Sequence, residues 1–83
     1  MEKSLYSAKQ KTLLALLRQV RSEAGLRQED VARRLRKPQS FVSKYESGER
    51  RLDILELREI CTALGLRLVD FAGQLERALS KSR

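Results

Sequence analysis

Gln39, Ser40, Ser43, Lys44 and Ser47 are the side chains whose types and spacing point most directly to chemistry. The last four stand at i, i+3, i+4 and i+7, which gathers them on one face of a helix, with Gln39 at its exposed start. An amide, three hydroxyls and an ammonium offer donors and acceptors but no paired nucleophile and base, so their chemistry is recognition. A DNA major groove admits one helix and presents acceptors, donors and thymine methyls, to which Gln, Ser and Lys are suited. An ordinary solvated helix face has the same composition, and on spacing alone both readings stand. The chain has no histidine, and Cys61 is its one cysteine. There is no triad candidate and no phosphate-cradling glycine loop, so no enzyme, catalytic residue, metal site or cofactor is expected.

Two short helices must hold that face. Val31, Ala32 and Leu35 fall at i, i+1 and i+4, and Phe41, Val42 and Tyr45 repeat the pattern after a break. Pro38 sets the boundary, because it disfavours helical geometry at Lys37 and fits the first turn of a new helix. The first of the pair is expected from about Gln28 to Arg36, with Glu29 and Asp30 at the positive end of its dipole. Gly48 suits a left-handed stop after the second.

A longer amphipathic helix precedes this pair. Ser7 and Gln10 have capping-box spacing, and Leu13, Leu16, Leu17, Val20 and Ala24 then recur at helical intervals up to Gly25. Residues 1–6 are expected to be a flexible arm, in which Leu5 and Tyr6 tuck against the body, and residues 7–83 one domain. After the pair, Asp53 and Glu56 repeat a helix-start spacing. Leu57, Ile60, Cys61 and Leu64 form its apolar stripe, and Gly65 ends it. A last pattern runs from Leu66 to about Ser80 through Leu68, Phe71, Ala72, Leu75 and Leu79.

Eighty-three residues suit a single small domain with a limited core. The net charge of +7 is unevenly spread: residues 27 to 51 hold eight Lys and Arg against four Asp and Glu, whereas residues 52 to 79 hold three against five. The positive field lies on the half that carries the polar helix face, and a phosphate backbone is its natural partner, although an anionic membrane surface would also attract it. The longest apolar run, Leu13 to Leu17, is too short to span a membrane or form a secretory core. The expected protein is soluble and untargeted, with no membrane partner and no legible small-molecule ligand.

From about Leu13 to Phe71 the chain resembles the phage Cro and repressor type of helix-turn-helix regulator, the XRE-like family. The resemblance is carried without a gap by Gly25-Leu26, by Gln28-Glu29-Asp30-Val31-Ala32, by Pro38-Gln39-Ser40-Phe41-Val42-Ser43-Lys44-Tyr45-Glu46 and by Ser47-Gly48. It implies an all-α, five-helix lambda-repressor-like fold. It also implies base-edge contacts from Gln39, Ser40 and Lys44, with Ser43 on base or phosphate. Gln28 is implied at a phosphate, as are Arg50 and Arg51, and Arg21 is implied in a partly buried ion pair with Glu46. Two positions depart from the family. Arg27 stands where a capping Ser or Thr is usual, and Arg36 where a glycine is usual, which would put Arg36 in a left-handed conformation. Arg27, Arg36 and Lys37 are expected to reach phosphate from the rim. Phe41 is left between core packing and a thymine methyl.

Five helices should close the core near Phe71. Leu75 and Leu79, joined by Val69, then have apolar surface without an obvious internal partner, and a homodimer seam is expected there. Folding back over the first helix is the alternative. The expected function is sequence-specific binding of double-stranded DNA, at an inverted repeat, by a cytoplasmic, nucleoid-associated bacterial transcription repressor. An antitoxin or a restriction-modification controller shares the same chemistry. A protein adaptor that keeps the fold without reading bases is the reading from another class.

Overall fold

The computed structural model describes residues 2–81, and side chains from residue 8 to residue 81. Five α-helices run through the described residues: α1 (Glu2–Glu23), α2 (Gln28–Leu35), α3 (Gln39–Ser47), α4 (Ile54–Leu64) and α5 (Leu68–Lys81). The core is contiguous: Leu14, Leu17, Val31, Ala32, Val42, Tyr45, Ile60, Cys61, Ala63, Leu64 and Phe71 are buried together. α2 packs on α3 and α4, while α1 closes over α3 and α5.

α1 corrects one expectation. It begins at Glu2, so Ser7 lies inside the helix and is not its cap. No glycine or proline stands between Glu2 and Gly25 to break the helix. The contacts expected of Leu5 and Tyr6 lie outside the described residues. The buried line on α1 is also displaced: Leu14 and Leu17 are buried, Leu13, Leu16 and Val20 flank them, and Ala24 is exposed. Gly48 permits this register, since a Cβ there would stand 3.3 Å from Leu14 Cδ1. Its φ of +88° also meets the left-handed geometry that ends α3.

The caps explain the short helices. Arg27 has no capping oxygen, but its backbone N–H donates to Asp30 Oδ2 at 2.8 Å, half of a capping box made from the acidic side. That hydrogen bond, followed by the Arg27 and Arg33 charges, lowers the Asp30 pKa. α2 stops at Arg36, the one non-glycine residue with positive φ among those described, at φ 59° and ψ 44°. The N–H of Lys37 then donates to the Ala32 carbonyl at 3.0 Å and that of Arg36 to Arg33 at 3.1 Å, a closure normally formed over glycine. α4 starts with a full capping box: the Glu56 N–H donates to Asp53 Oδ1 at 2.7 Å and the Asp53 N–H to Glu56 Oε1 at 3.0 Å. Burial pushes the Cys61 thiol up to about 11, and the residue serves the core as a small apolar side chain.

α5 folds back along α1, and Leu75 packs against the core of its own chain. The internal partner that the spacing did not reveal is therefore present for Leu75. Leu79 is half-buried, whereas Val69 remains 59% exposed.

Candidate nucleic-acid interface

α3 divides sharply between its two sides. Val42, Tyr45 and Glu46 are buried, while Gln39, Ser40, Ser43, Lys44 and Ser47 are exposed along one face. Pro38, in extended geometry at φ −66° and ψ 154°, turns the chain out of α2 so that this face stands clear. Side chains from α1 and α2 join that face to the body of the protein.

Glu46 is only 4% exposed, which for a lone carboxylate would be costly. It is answered by two donors from α1 and one from α2. Arg21 Nε donates to Oε2 at 2.7 Å and Arg21 Nη2 to Oε1 at 3.0 Å, a two-point guanidinium contact. The Glu46 hydrogen bond raises the Arg21 pKa further, so the guanidinium holds its charge at any working pH. Gln28 Nε2 donates to Glu46 Oε1 at 2.9 Å. Arg18 Nη1 adds a 2.9 Å hydrogen bond to the Glu46 carbonyl, and Arg21 Nη1 ties down the Leu26 carbonyl at 3.1 Å. The carboxylate that would repel DNA is thus turned inward and neutralised.

The network continues outward to the exposed face. Gln28 Oε1 accepts from Gln39 Nε2 at 2.9 Å. The chemistry dictates the order of atoms: an ionised carboxylate can only accept, so the Gln28 NH₂ faces Glu46, its carbonyl faces outward, and Gln39 must donate to it. Gln39 keeps its own carbonyl oxygen and one N–H for a partner. An acceptor beside a donor is the pattern that matches the N6 and N7 edge of adenine.

A second cluster holds the loop after α3. Phe41 stacks edge to face on Tyr45, with ring centroids 5.6 Å apart and planes at 72°. Arg50 Cζ lies 4.8 Å from the Phe41 centroid and Lys37 Nζ 5.3 Å from it. Arg50 also grips Glu56 through Nη1 at 3.1 Å and Nη2 at 2.8 Å. That contact, then the Asp53 N–H, holds the Glu56 carboxyl at about 2, well below the ordinary range. Phe41 therefore packs within the chain, and the Arg50 guanidinium is engaged by Glu56 and Phe41.

Of the other residues singled out, Arg27, Arg36, Lys37 and Arg51 are exposed around the ends of α2 and α3, and Gln28 is half-buried between Glu46 and Gln39. Arg27 lies 3.7 Å from both Glu29 and Asp30. Three roles went unseen in the sequence. Arg34 Nη1 fastens α2 to α4 through the Ala63 carbonyl at 2.8 Å, Arg18 caps the end of α3, and Glu56 anchors Arg50. Only the last left a trace, in the acidic residue of the α4 capping box.

No helix among the described residues is long and apolar enough to cross a membrane. A family model described as helix-turn-helix matches residues 17–71. The structure of an XRE-family like protein from Pseudomonas syringae pv. tomato strain DC3000 superposes with a TM-score of 0.84 at 42% identity, covering 92% of this chain and 93% of that one. The wild-type restriction-modification controller protein C.Esp1396I superposes with a TM-score of 0.79 at 25% identity, over 86% of this chain and 93% of its own. The tetramer of that controller in complex with its natural 35 base-pair operator gives a TM-score of 0.78 at 26% identity, over 84% and 92%. No curated protein matches the chain.

Proposed function

Because the chain belongs to the XRE-type helix-turn-helix family of DNA-binding transcription regulators, we propose that it represses transcription in the bacterial cytoplasm by binding one specific double-stranded sequence as a homodimer. The observation that carries this reading is the line of contacts from Arg21 through Glu46 and Gln28 to Gln39. It fixes the orientation of a base-reading amide before DNA arrives, and pre-ordering of that kind lowers the cost of binding. In this reading Gln39, Ser40, Ser43 and Lys44 take the base edges. Gln28, Arg27, Arg36, Lys37 and Arg51 set the register on phosphate, with Arg50 contributing its charge from the Glu56 anchor. A two-fold pair would set its reading helices about 34 Å apart, one turn of the duplex, and so favour an inverted repeat. The likeness to C.Esp1396I, whose tetramer was solved on its operator, supports a restriction-modification controller over an antitoxin. The reading assigns no catalytic step.

The test is selection of the purified protein against a randomised duplex pool at near-physiological salt, with sequencing of the retained DNA. An enriched inverted repeat is the expected outcome. Retention without any enriched sequence, fading as salt rises, would reduce the basic half to an electrostatic footprint and favour the protein-adaptor reading.

A further inference from the structure

A groove of about 350 Å³ opens between α1 and the loop that follows α3. Gln10, Lys11 and Leu14 form its α1 wall, and Ser47, Glu49 and Arg51 line the other side. The α1 wall belongs to a stripe that already serves α3. Lys11, Leu14, Arg18 and Arg21 stand at i, i+3, i+7 and i+10, which places them on one side of the helix. Arg21 grips the Glu46 carboxylate, Arg18 donates to the Glu46 carbonyl, and Leu14 lies against Gly48. Lys11 is the next member of that stripe, and it stands in the groove beyond the end of α3.

The polar groups of this wall are unspent. Lys11 is exposed, Gln10 is half-buried, and neither side chain makes a hydrogen bond or ion pair with a described residue. Glu49 lines the same space, yet no ion pair joins it to Lys11 among the described residues. Ser47 is committed elsewhere: its hydroxyl donates to the Lys44 carbonyl at 3.0 Å and accepts from the Glu49 N–H at 3.3 Å, which fixes the opposite wall. Lys11 and Arg51 against Glu49 leave the groove net positive, and an anion is the partner that fits.

The place of the groove decides which anion. α3 has nine residues and is therefore about 13 Å long, close to the roughly 12 Å width of a major groove. With its exposed face on the base edges, its two ends come up to the sugar-phosphate strands that border the groove. Arg36 and Lys37 stand exposed just before its start, and Ser47, the last residue of its exposed face, lines the Lys11 groove at its other end.

We propose that the groove between α1 and the loop after α3 holds a phosphodiester of the bound duplex, with the Lys11 ammonium as its charge partner and the Gln10 amide as a neutral donor beside it. α1 then acts as a second clamp on the DNA backbone, at the end of α3 opposite Arg36 and Lys37. The inference rests on the DNA-binding reading above and adds to it a residue that sets affinity and register without touching a base.

The salt dependence of DNA binding tests it, on the duplex enriched from the pool or, if none is enriched, on one of arbitrary sequence. Each phosphate contact contributes about 0.9 to the slope of log K against log salt. Lys11→Ala should flatten the slope by about 0.9 for each protomer bound and weaken binding about eightfold near 0.1 M salt, the factor that this slope yields over a tenfold change in salt. Lys11→Arg should keep the parental slope, and so should Lys9→Ala, since Lys9 does not line the groove. Lys11 is exposed and alanine favours a helix, so circular dichroism and melting should match the parent. The Lys11→Ala protein should also enrich the same bases as the parent. An unchanged slope in Lys11→Ala, or an equal flattening in Lys9→Ala, overturns the clamp and leaves base reading standing. A changed base preference in Lys11→Ala likewise overturns the phosphate assignment. A pool that enriches no sequence sinks base reading instead, and the slopes on the arbitrary duplex then decide the groove by the same criteria.

Discussion

Arg21 and Glu46, twenty-five positions apart in the chain, meet in a two-point contact of 2.7 and 3.0 Å, with the Glu46 side chain 3% exposed and the Arg21 side chain 19%. The pair joins the end of the first helix to the end of α3. With Gln28 on the remaining side of the carboxylate, it makes the orientation of α3 a property of the whole fold.

Removing Glu46 should therefore cost stability well beyond a surface ion pair. Glu46→Ala leaves the Arg21 guanidinium and the Gln28 amide without their partner, and a loss on the order of 3 kcal/mol in urea unfolding is expected. A loss under about 1 kcal/mol would class the contact with exposed pairs that contribute little.

Arg36 is held at φ 59°, where glycine is relieved of the steric cost of a side chain. Arg36→Gly should raise stability by roughly 1 kcal/mol and with it the melting temperature. Because Arg36 is exposed beside Lys37 at the rim of α3, the same change should weaken DNA binding. Lower stability with unchanged binding would be the opposite result.

Acid should loosen the loop after α3. Glu56 is held at about 2 in the folded state, below the ordinary value of about 4.3 for a free side chain. A lowered folded pKa contributes stability that is whole above the unfolded value and disappears as pH falls through the folded one, so the loss belongs between about pH 4.3 and pH 2. Asp30, lowered by the Arg27 N–H, acts in the same direction. Unfolding midpoints measured across that interval should fall less steeply in Glu56→Gln than in the parent; equal slopes would remove Glu56 from the explanation.

Gln28 and Gln39 should act as one unit in base reading. Gln39→Ala is expected to lose discrimination for adenine at one position of each half-site by about 1 to 3 kcal/mol. Gln28→Ala should lose part of the same preference through the freed Gln39 amide, and the double variant should lose less than the sum of the two. Additive losses in competition binding would mean that the 2.9 Å contact between them carries no orientation.

Much of this molecule is legible in local spacing. The apolar patterns around Val31 and Val42, the break at Pro38 and the glycine at 48 mark a helix-turn-helix, and the resemblance they support extends to the five-helix fold. Those signals work because helix formation and termination depend on residues within a turn or two of one another. The start of α1 was harder to read, since a serine with capping-box spacing is equally compatible with an uninterrupted helix when no glycine or proline precedes it.

The sequence by itself therefore determined the elements, their breaks and the polar composition of the exposed face of α3. Tertiary structure decided which polar groups meet: Gln28 between Glu46 and Gln39, Arg50 between Glu56 and Phe41, Arg34 at the end of α4. It also decided that Leu75 turns inward and that Leu55 and Val69 stay outside. The reason is physical. A helix period ranks faces by polarity from residues close in the chain, whereas a hydrogen bond requires two groups within about 3 Å and aligned, and for partners tens of residues apart only the packed core sets that distance.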